Sequence, residues 1–337
     1  MDTHDSNTVA PLRFGVLGAA RITPKALVRA SANNRTVQLT RVAARDRSRA
    51  EAFAEEHGIG SVADSYQELI EAPDVDVVYN PLPMHLHAEW TIAALRAGKH
   101  VLCEKPFASN AAEAEEMVRV AAAEDRILGE AFHHRYHPLF EHVLNVSHSG
   151  VLGEISRVSG YFKIAIPQPD IRWNYETSGG ALMDLGCYPL IWVRHVVDEE
   201  PTITSATATE GPPKVDATMS AEMTFPGGAT GYLETSMVQP EDEPDDIRLE
   251  IVGDSGSMTV INPLSPQSGN RVIVRTESGE TDVEFDAGDT YTHMVRAFCD
   301  HVVHGTDFPT KGSDSINNMA AIDAIYSAAG LPIRAEP

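Results

Sequence analysis

Between residues 12 and 130 short apolar runs alternate with helix-length stretches, and this alternation constrains the fold more than any other feature of the chain. Leu12–Gly18, Gln38–Ala44, Val75–Tyr79, His100–Cys103 and Ile127–Glu130 read as strands buried on both faces. Pro24 suits the first turn of a helix, where a missing N–H costs nothing. Helical stretches follow at Ala50–His57, stopped near Gly58, and at His87–Ala97, ended by Gly98. Asn110-Ala-Ala-Glu113 has the spacing of a capping box opening a helix to about Arg126. Strand–helix alternation of this kind makes βαβ units, hence an α/β, doubly wound parallel sheet with helices on both faces.

After about Gly150 the rhythm changes. Ile155–Ile166, Thr202–Thr209, Ala217–Phe225, Ala229–Val238, Ile247–Val252, Ser257–Ile261, Arg271–Thr276 and Thr281–Phe285 are consecutive strand-like runs, several joined by Gly-rich turns. They predict an α+β domain with a large, mainly antiparallel open sheet. Helices are expected at Leu182–Val197, Thr292–His304 and Ser315–Ala329. The organisation expected is a polar tail (1–11), a dinucleotide-binding domain (12–135) and a substrate-binding and oligomerisation domain (136–337).

Composition enters by exclusion. The chain carries 26 basic and 49 acidic residues, and residues 151–337 hold 11 against 29. Such a surface repels phosphate backbones, so no nucleic-acid partner is expected. No run approaches the ~18–20 apolar residues that span a bilayer, so no membrane partner is expected. The opening MDTHDSNTVAP lacks the order of a signal peptide, and three cysteines without a C-x-x-C argue against a disulfide framework. A cytoplasmic location follows as the expectation.

Gly18-Ala-Ala-Arg-Ile-Thr23, between the first strand and the Pro24 helix, is a degenerate dinucleotide fingerprint. Gly18 permits the tight turn, and Ala20 and Thr23 stand at the other two glycine positions. Small residues let the backbone, including Arg21 and Ile22, approach a pyrophosphate at the helix N-terminus. The second strand ends Ala43-Ala44-Arg45, where NAD-binding folds place an acid on the ribose hydroxyls. Arg41, Arg45, Arg47 and Arg49 cluster there with only Asp46 opposing. A guanidinium pairs with a 2′-phosphate through parallel hydrogen bonds, so Ala44, Arg45 and Arg49 point to NADP rather than NAD. A one-residue shift in register would instead make Asp46 the ribose acid.

Cys103-Glu104-Lys105-Pro106 closes the fourth strand, the edge where ligands of open α/β sheets collect. From Gly15-Val-Leu-Gly18 through Asn80-Pro81, His87, Gly98-Lys-His-Val-Leu-Cys-Glu-Lys-Pro106, Glu130-Ala-Phe132 with Arg135, and Gly179-Gly-Ala-Leu-Met-Asp-Leu-Gly-Cys-Tyr188, the chain resembles the glucose–fructose oxidoreductase/inositol dehydrogenase/rhizopine-catabolism (Gfo/Idh/MocA) family. With Tyr at 188 it looks most like the aldose (xylose or glucose) 1-dehydrogenases and the dimeric dihydrodiol dehydrogenases.

The resemblance implies a Rossmann domain followed by a domain whose sheet mediates a homodimer or homotetramer. It implies that Lys105, Asp184 and Tyr188 form the catalytic and substrate site, with Asn80, Pro81, His87, Glu104 and Arg135 at the cofactor. Positions 184 and 188 are four apart, so on a helix their side chains share a face. A tyrosine with pKa ~10 needs a nearby cation to act as a base, a charge Lys105 would supply, and Gly179-Gly180 would let backbone approach ligand. Trp173 offers either a stacking face to a sugar or a core side chain. His85 and His87, and His133, His134 and His137, raise the thought of metal, but no carboxylate or Cys stands at ligand spacing and none is expected. The expected activity is NADP-dependent hydride transfer with a cyclic polyol or aldose, at C1 to give a lactone. A trans-1,2-dihydrodiol dehydrogenase and a non-catalytic NADP-binding sensor are the alternatives.

Overall fold

The computed structural model describes residues 10–240 and 242–335, so most of the polar tail lies outside the described residues. Its first sheet is parallel throughout: β1 (Leu12–Leu17), β2 (Val37–Ala43), β3 (Ser61–Val62), β4 (Val77–Asn80), β5 (His100–Cys103) and β6 (Leu128–Glu130), in the order β3-β2-β1-β4-β5-β6. The order reverses between β1 and β4, and the crevice beyond their carboxyl ends is where such sheets hold ligands. Crossovers are a π-helical turn (Pro24–Arg29), α1 (Arg47–His57), α2 (Tyr66–Glu71), α3 (His87–Arg96) and α4 (Ala111–Ala123). Asn110 Oδ1 accepts the Glu113 N–H, and the Glu113 carboxylate accepts the Ser109 N–H. The box thus reaches back one residue further than its usual form. Both β3 and α2 were illegible in the sequence: two and six residues are too short to establish a period.

From β6 the chain enters α5 (Pro138–His148), with Pro at the first turn and His137 accepting the Leu139 N–H. The second sheet follows: β7 (Ile155–Lys163), then α6 (Cys187–Val197), β8 (Thr202–Glu210), β9 (Asp216–Thr224), β10 (Thr230–Ser236), β11 (Asp246–Gly253), β12 (Gly256–Ile261), β13 (Arg271–Thr276) and β14 (Gly279–Val283). Its order is β14-β13-β12-β11-β7-β10-β9-β8, antiparallel except for the β7–β10 pair. Burial alternates along β9 and β10, so one face packs inward beneath α6. The other face carries ion pairs such as Arg157–Glu222 and Lys163–Glu234.

The last helices return toward the start of the chain. α7 (Thr290–His304) buries Tyr291, Met294, Val295 and Phe298 in the same core as Phe14, Val16, Val77 and Leu102. α8 (Ser313–Ala328) packs on both α4 and β8. Between them Thr310 extends the first sheet's edge: its carbonyl accepts the Glu130 N–H, and its hydroxyl donates to the Glu130 carbonyl.

A fully buried knot fixes the segment leading to the site. Asp216 Oδ1 accepts from Arg334 (2.8 Å) and from the Tyr326 hydroxyl (2.9 Å), while Oδ2 accepts the Leu182 N–H (2.7 Å). Burial pushes the Asp216 carboxyl up to about 6, and the Arg334 charge limits the rise. Gly179 and Gly180 serve this knot. A Cβ on Gly180 would meet Asp216 and Arg334, one on Gly179 would meet the Arg172 carbonyl, and Gly180 sits at φ +143. The close approach expected at these glycines is therefore to the protein's own chain.

Replacing Arg334 by Met should destabilise the fold by about 3–5 kcal/mol near neutral pH, the usual loss when one member of a buried ion pair is removed. Folded Asp216 holds its proton to about 6, above its unfolded value, and protonated it needs no cation. The deficit should therefore shrink as pH falls from about 8 to about 5. Urea melts of both proteins at the two pH values measure it, and an equal deficit at both would exclude Asp216 as the stranded group.

Candidate active site

Two adjoining cavities lie beyond the carboxyl ends of β1, β4 and β5. The longer one, about 590 Å³, is lined by Gly18, Ala20, Arg21, Ala44, Arg45, Arg49, Pro81 and Ile171 among others. Gly18, at φ +81, turns β1 into the loop that leads to the Pro24 turn. The basic island divides by its partners. Arg41 pairs with Asp74, and Arg47 with Glu51 and Asp64. Arg49 donates to the Ala19 carbonyl (3.3 Å), tying α1 to the glycine loop. The Arg45 guanidinium is exposed and has neither an ion pair nor a hydrogen bond among the described residues. Asp46 is spent as the cap of α1: the Ser48 hydroxyl and the Arg49 and Ser48 N–H groups donate to it and hold its carboxyl below the ordinary range. The acid that could have been taken for a ribose ligand is a helix cap, and a free cation stands beside it.

The second cavity, about 340 Å³, shares Ala20, Arg21, Pro81 and Ile171 with the first and adds Ile22, Lys25, His87, Glu104, Lys105, His133, Arg172, Asp184, Tyr188 and Tyr291. Lys105 reaches it from the end of β5; Asp184 and Tyr188 reach it from the entry to α6. That entry is a π-helical turn (Leu182–Gly186) rather than the regular helix expected, yet both side chains still face the same cavity. Lys105 Nζ donates to the Asp184 carbonyl (2.8 Å) and to Asp184 Oδ1 (2.9 Å). Arg172 Nε donates to Asp184 Oδ2 (2.5 Å). Burial opposes charge on Asp184, but Lys105 and Arg172 outweigh it and hold the carboxyl at about 2. Burial also opposes charge on Lys105, and Asp184 outweighs it, so the ammonium persists.

Tyr188 packs among Phe132, His133, His134 and Phe162 at ring distances of 5.3–5.9 Å. Its hydroxyl makes no hydrogen bond among the described residues. Lys105 Nζ lies 5.0 Å over the ring rather than at the oxygen, and burial pushes the phenol well above its ordinary range. Burial thus favours the neutral phenol over the lysine-stabilised phenolate expected, and the lysine hydrogen-bonds Asp184 instead.

The remaining expected residues divide. Asn80 is buried and structural, donating to the His87 carbonyl and Thr91 and accepting the Leu82 N–H. His87 borders the cavity, but its two ring nitrogens face the Pro106 and Leu82 carbonyls, and burial pushes it down to about 4. Glu104 accepts from the Tyr79 hydroxyl, and burial raises its pKa. Arg135 does not reach either cavity; it lines a separate one with Arg194, His195 and Asp314. Trp173 is a core residue, its ring over Gly211 and its N–H donating to the Ile166 carbonyl. Cys103 and Cys187 are buried, with their thiols pushed up by burial. Arg172, Lys25, His133 and Tyr291 line the site without having been singled out for it. His133 stacks on Tyr291 at 3.9 Å and bonds the Thr290 hydroxyl. Only the topology brings α7 there.

Residues 12–132 match the model of the GFO_IDH_MocA oxidoreductase family, NAD-binding Rossmann fold, and residues 140–259 match the GFO/IDH/MocA C-terminal domain. The chain is 32% identical over 328 residues to D-xylose 1-dehydrogenase (NADP(+)) 2 of Haloferax volcanii, covering 94% of this chain and 97% of that protein. It is 32% identical over 326 residues to dTDP-3,4-didehydro-2,6-dideoxy-alpha-D-glucose 3-reductase of Saccharopolyspora spinosa, covering 95% and 97%. Among solved structures, a 3-ketoreductase from Actinomadura kijaniata in complex with NADP and TDP-benzene superposes with a TM-score of 0.86 at 30% identity, covering 94% of this chain and 98% of that one.

Proposed function

The chain belongs to the Gfo/Idh/MocA oxidoreductase family, and from that premise we propose that it exchanges hydride between NADP and a ring carbon of a sugar, with the C1 hydroxyl of a pyranose aldose as its first substrate. It is an NADP-dependent oxidoreductase acting on sugar-related CH–OH groups. The observation that carries the proposal is Lys105 and Asp184, locked together beside Tyr188 in a cavity adjoining the glycine-loop groove.

The groove fits the nucleotide by its own chemistry. The Gly18–Thr23 loop opens a helical turn toward the diphosphate, and the unpaired Arg45, with Arg49, takes the 2′-phosphate. Bound there, NADP supplies the hydride acceptor, or as NADPH the donor. In reduction Tyr188 gives its proton to the substrate oxygen; in oxidation it takes that proton back as the phenolate. Lys105 and Asp184 orient that oxygen, the ammonium stabilising negative charge as it develops. His87, kept neutral by burial and donating its single N–H to one of the two carbonyls it faces, is a wall of the site rather than its base.

One observation favours a second substrate class. A buried Tyr188 that keeps its proton is a ready donor to the alkoxide formed when a ring ketone is reduced. A ketosugar reductase would use the same residues in the opposite direction.

Arg45→Ala should raise the KM for NADP roughly tenfold to a hundredfold and leave turnover with NAD nearly unchanged. That is the loss expected for about 1.5–3 kcal/mol of hydrogen bonding to a charged group. A wild type that prefers NAD, with a silent Arg45→Ala, would remove the 2′-phosphate assignment. Tyr188→Phe should retain NADPH binding, read by fluorescence, and lower kcat by about 10²–10⁴, the usual worth of a positioned proton-transfer group. Near wild-type turnover would move the proton elsewhere.

The substrate itself is tested by screening aldoses, inositols, dihydrodiols and ketosugars with NADP(H), then following the product of an active sugar by NMR. Oxidation at C1 yields a lactone and starts faster from one anomer, because the other aims its hydroxyl away from Tyr188. A ring ketone, or equal initial rates from both fresh anomers, would refute C1 and leave the ketosugar reaction.

A further inference from the structure

Asp184 does not hold Lys105 alone. Its second oxygen is taken by Arg172, whose NH1 donates to Asp170 Oδ1 at 3.0 Å, and Asp170 Oδ2 accepts from Arg21 at 2.8 Å. Lys105, Asp184, Arg172, Asp170 and Arg21 therefore form an unbroken chain of alternating charge. It begins at the end of β5, crosses the loop before α6, and ends in the glycine loop of the nucleotide groove. Ile171, between Asp170 and Arg172, lines both cavities, so this loop lies where the two meet. Exposure grades along the chain: the Lys105, Asp184 and Asp170 side chains are 10–14% exposed, Arg172 32% and Arg21 87%. The strong links are thus the inner ones, and the Arg21 link is a surface pair of small worth.

We propose that Arg172 and Asp170 are positioning residues for the catalytic pair: Arg172 fixes one oxygen of Asp184 so that the other stays on Lys105, and Asp170 fixes the rotamer of Arg172. The proposal rests on Lys105 and Asp184 being the catalytic pair. The physical need is specific. A buried carboxylate held by one cation alone can rotate and exchange its oxygens, and the lysine moves with it. A planar guanidinium pinned by a second acid on its far side removes that freedom.

Removing Arg172 takes one of the two charges that keep Asp184 ionised. The other groups facing Asp184 are Lys105 and Glu104 from the end of β5, Cys187 and Tyr188 on its own turn, and Tyr291 from α7. Of these only Lys105 is a cation. The Asp184 carboxyl, at about 2 in the intact site, must then move up toward the ordinary carboxylate range.

The test compares Arg172→Gln, Arg172→Lys and Asp170→Asn with the full-length wild type. Arg172→Gln should lower kcat at least tenfold, keep NADPH affinity within about twofold, and move the acid limb of the kcat/KM profile to higher pH. Arg172→Lys, which restores charge but not the fork, should return the acid limb while kcat stays depressed. Asp170→Asn should lower kcat several-fold with the acid limb in place. A residue that merely props up the fold would lower the melting temperature without moving the acid limb. An unmoved acid limb in Arg172→Gln, or a kcat in Asp170→Asn equal to wild type, overturns the proposal. Carboxyl NMR, with Asp184 identified by its loss in Asp184→Asn, reads the Asp184 titration with no substrate present. A wild type that turns over no sugar, with the titration shift intact, would therefore fail the functional proposal and leave this one standing. If Arg172→Gln does not fold, Arg172→Lys carries the kinetic arm, and a wild-type kcat there overturns the proposal.

Discussion

The contact on which the rest of the site depends is the buried ion pair between Lys105 and Asp184. It joins the end of a strand in the parallel sheet to the turn that opens a helix on the second sheet, and no stretch of local sequence could form it. A charge pair withdrawn from water is tolerable only when its remaining hydrogen-bonding capacity is used. Here that condition is met: one carboxylate oxygen faces the ammonium, the other faces Arg172, and the ammonium also holds the Asp184 carbonyl. The geometry of the two sheets is therefore read out at this one point. α7 and α8, which return to pack against the first domain, are part of what keeps the two halves in register.

Two buried aspartates in the same domain show how partners decide ionisation. Asp216 and Asp184 are both withdrawn from solvent, yet one is pushed up to about 6 and the other held at about 2. Burial opposes charge in both. Asp216 has a single cation, Arg334, supplemented by a hydroxyl and a backbone N–H. Asp184 has two cations. The second cation, a guanidinium, separates a structural carboxylate pushed up to about 6 from one in the candidate site that stays charged at neutral pH. The two are also linked in the chain: Asp216 anchors Leu182, two residues before Asp184, so the structural knot sets where the turn carrying Asp184 starts.

Local signals carried the first domain well. The apolar runs at 12–18 and 100–103, the glycine stops at Gly58 and Gly98 and the Asn110 cap all depend on neighbours within a turn or two, and all stand where the sequence places them. That Lys105, Asp184 and Tyr188 meet in one cavity was legible because Lys105 follows the end of a strand and Asp184 and Tyr188 lie four apart. What failed to show depends on distance. Arg172 reads as an unremarkable loop residue until folding brings it to Asp184. Trp173 and Arg135 carry chemistry suited to a site, but their neighbours turn one into the core and the other toward a separate cavity. Gly179 and Gly180 were legible as close-approach glycines, while what approaches them, the Arg172 backbone and the Asp216 knot, is a tertiary fact.

The same long-range accounting sets the protonation of Tyr188. From sequence a lysine within reach of a tyrosine suggests a phenolate, because a cation lowers the phenol's pKa. That inference treats the lysine charge as available. Asp184 shares it: the ammonium hydrogen-bonds the carboxylate at 2.9 Å and lies 5.0 Å from the centroid of the Tyr188 ring. Burial of the ring, packed against Phe132 and Phe162, disfavours negative charge, so the tyrosine keeps its proton at neutral pH. A site so arranged gives a proton to an alkoxide without prior rearrangement. Taking one from an alcohol requires additional positive charge beside the phenol at the moment of transfer. The protonation of Tyr188 is therefore set by burial and by how three side chains share two charges, and Asp184 is the member that commits the lysine.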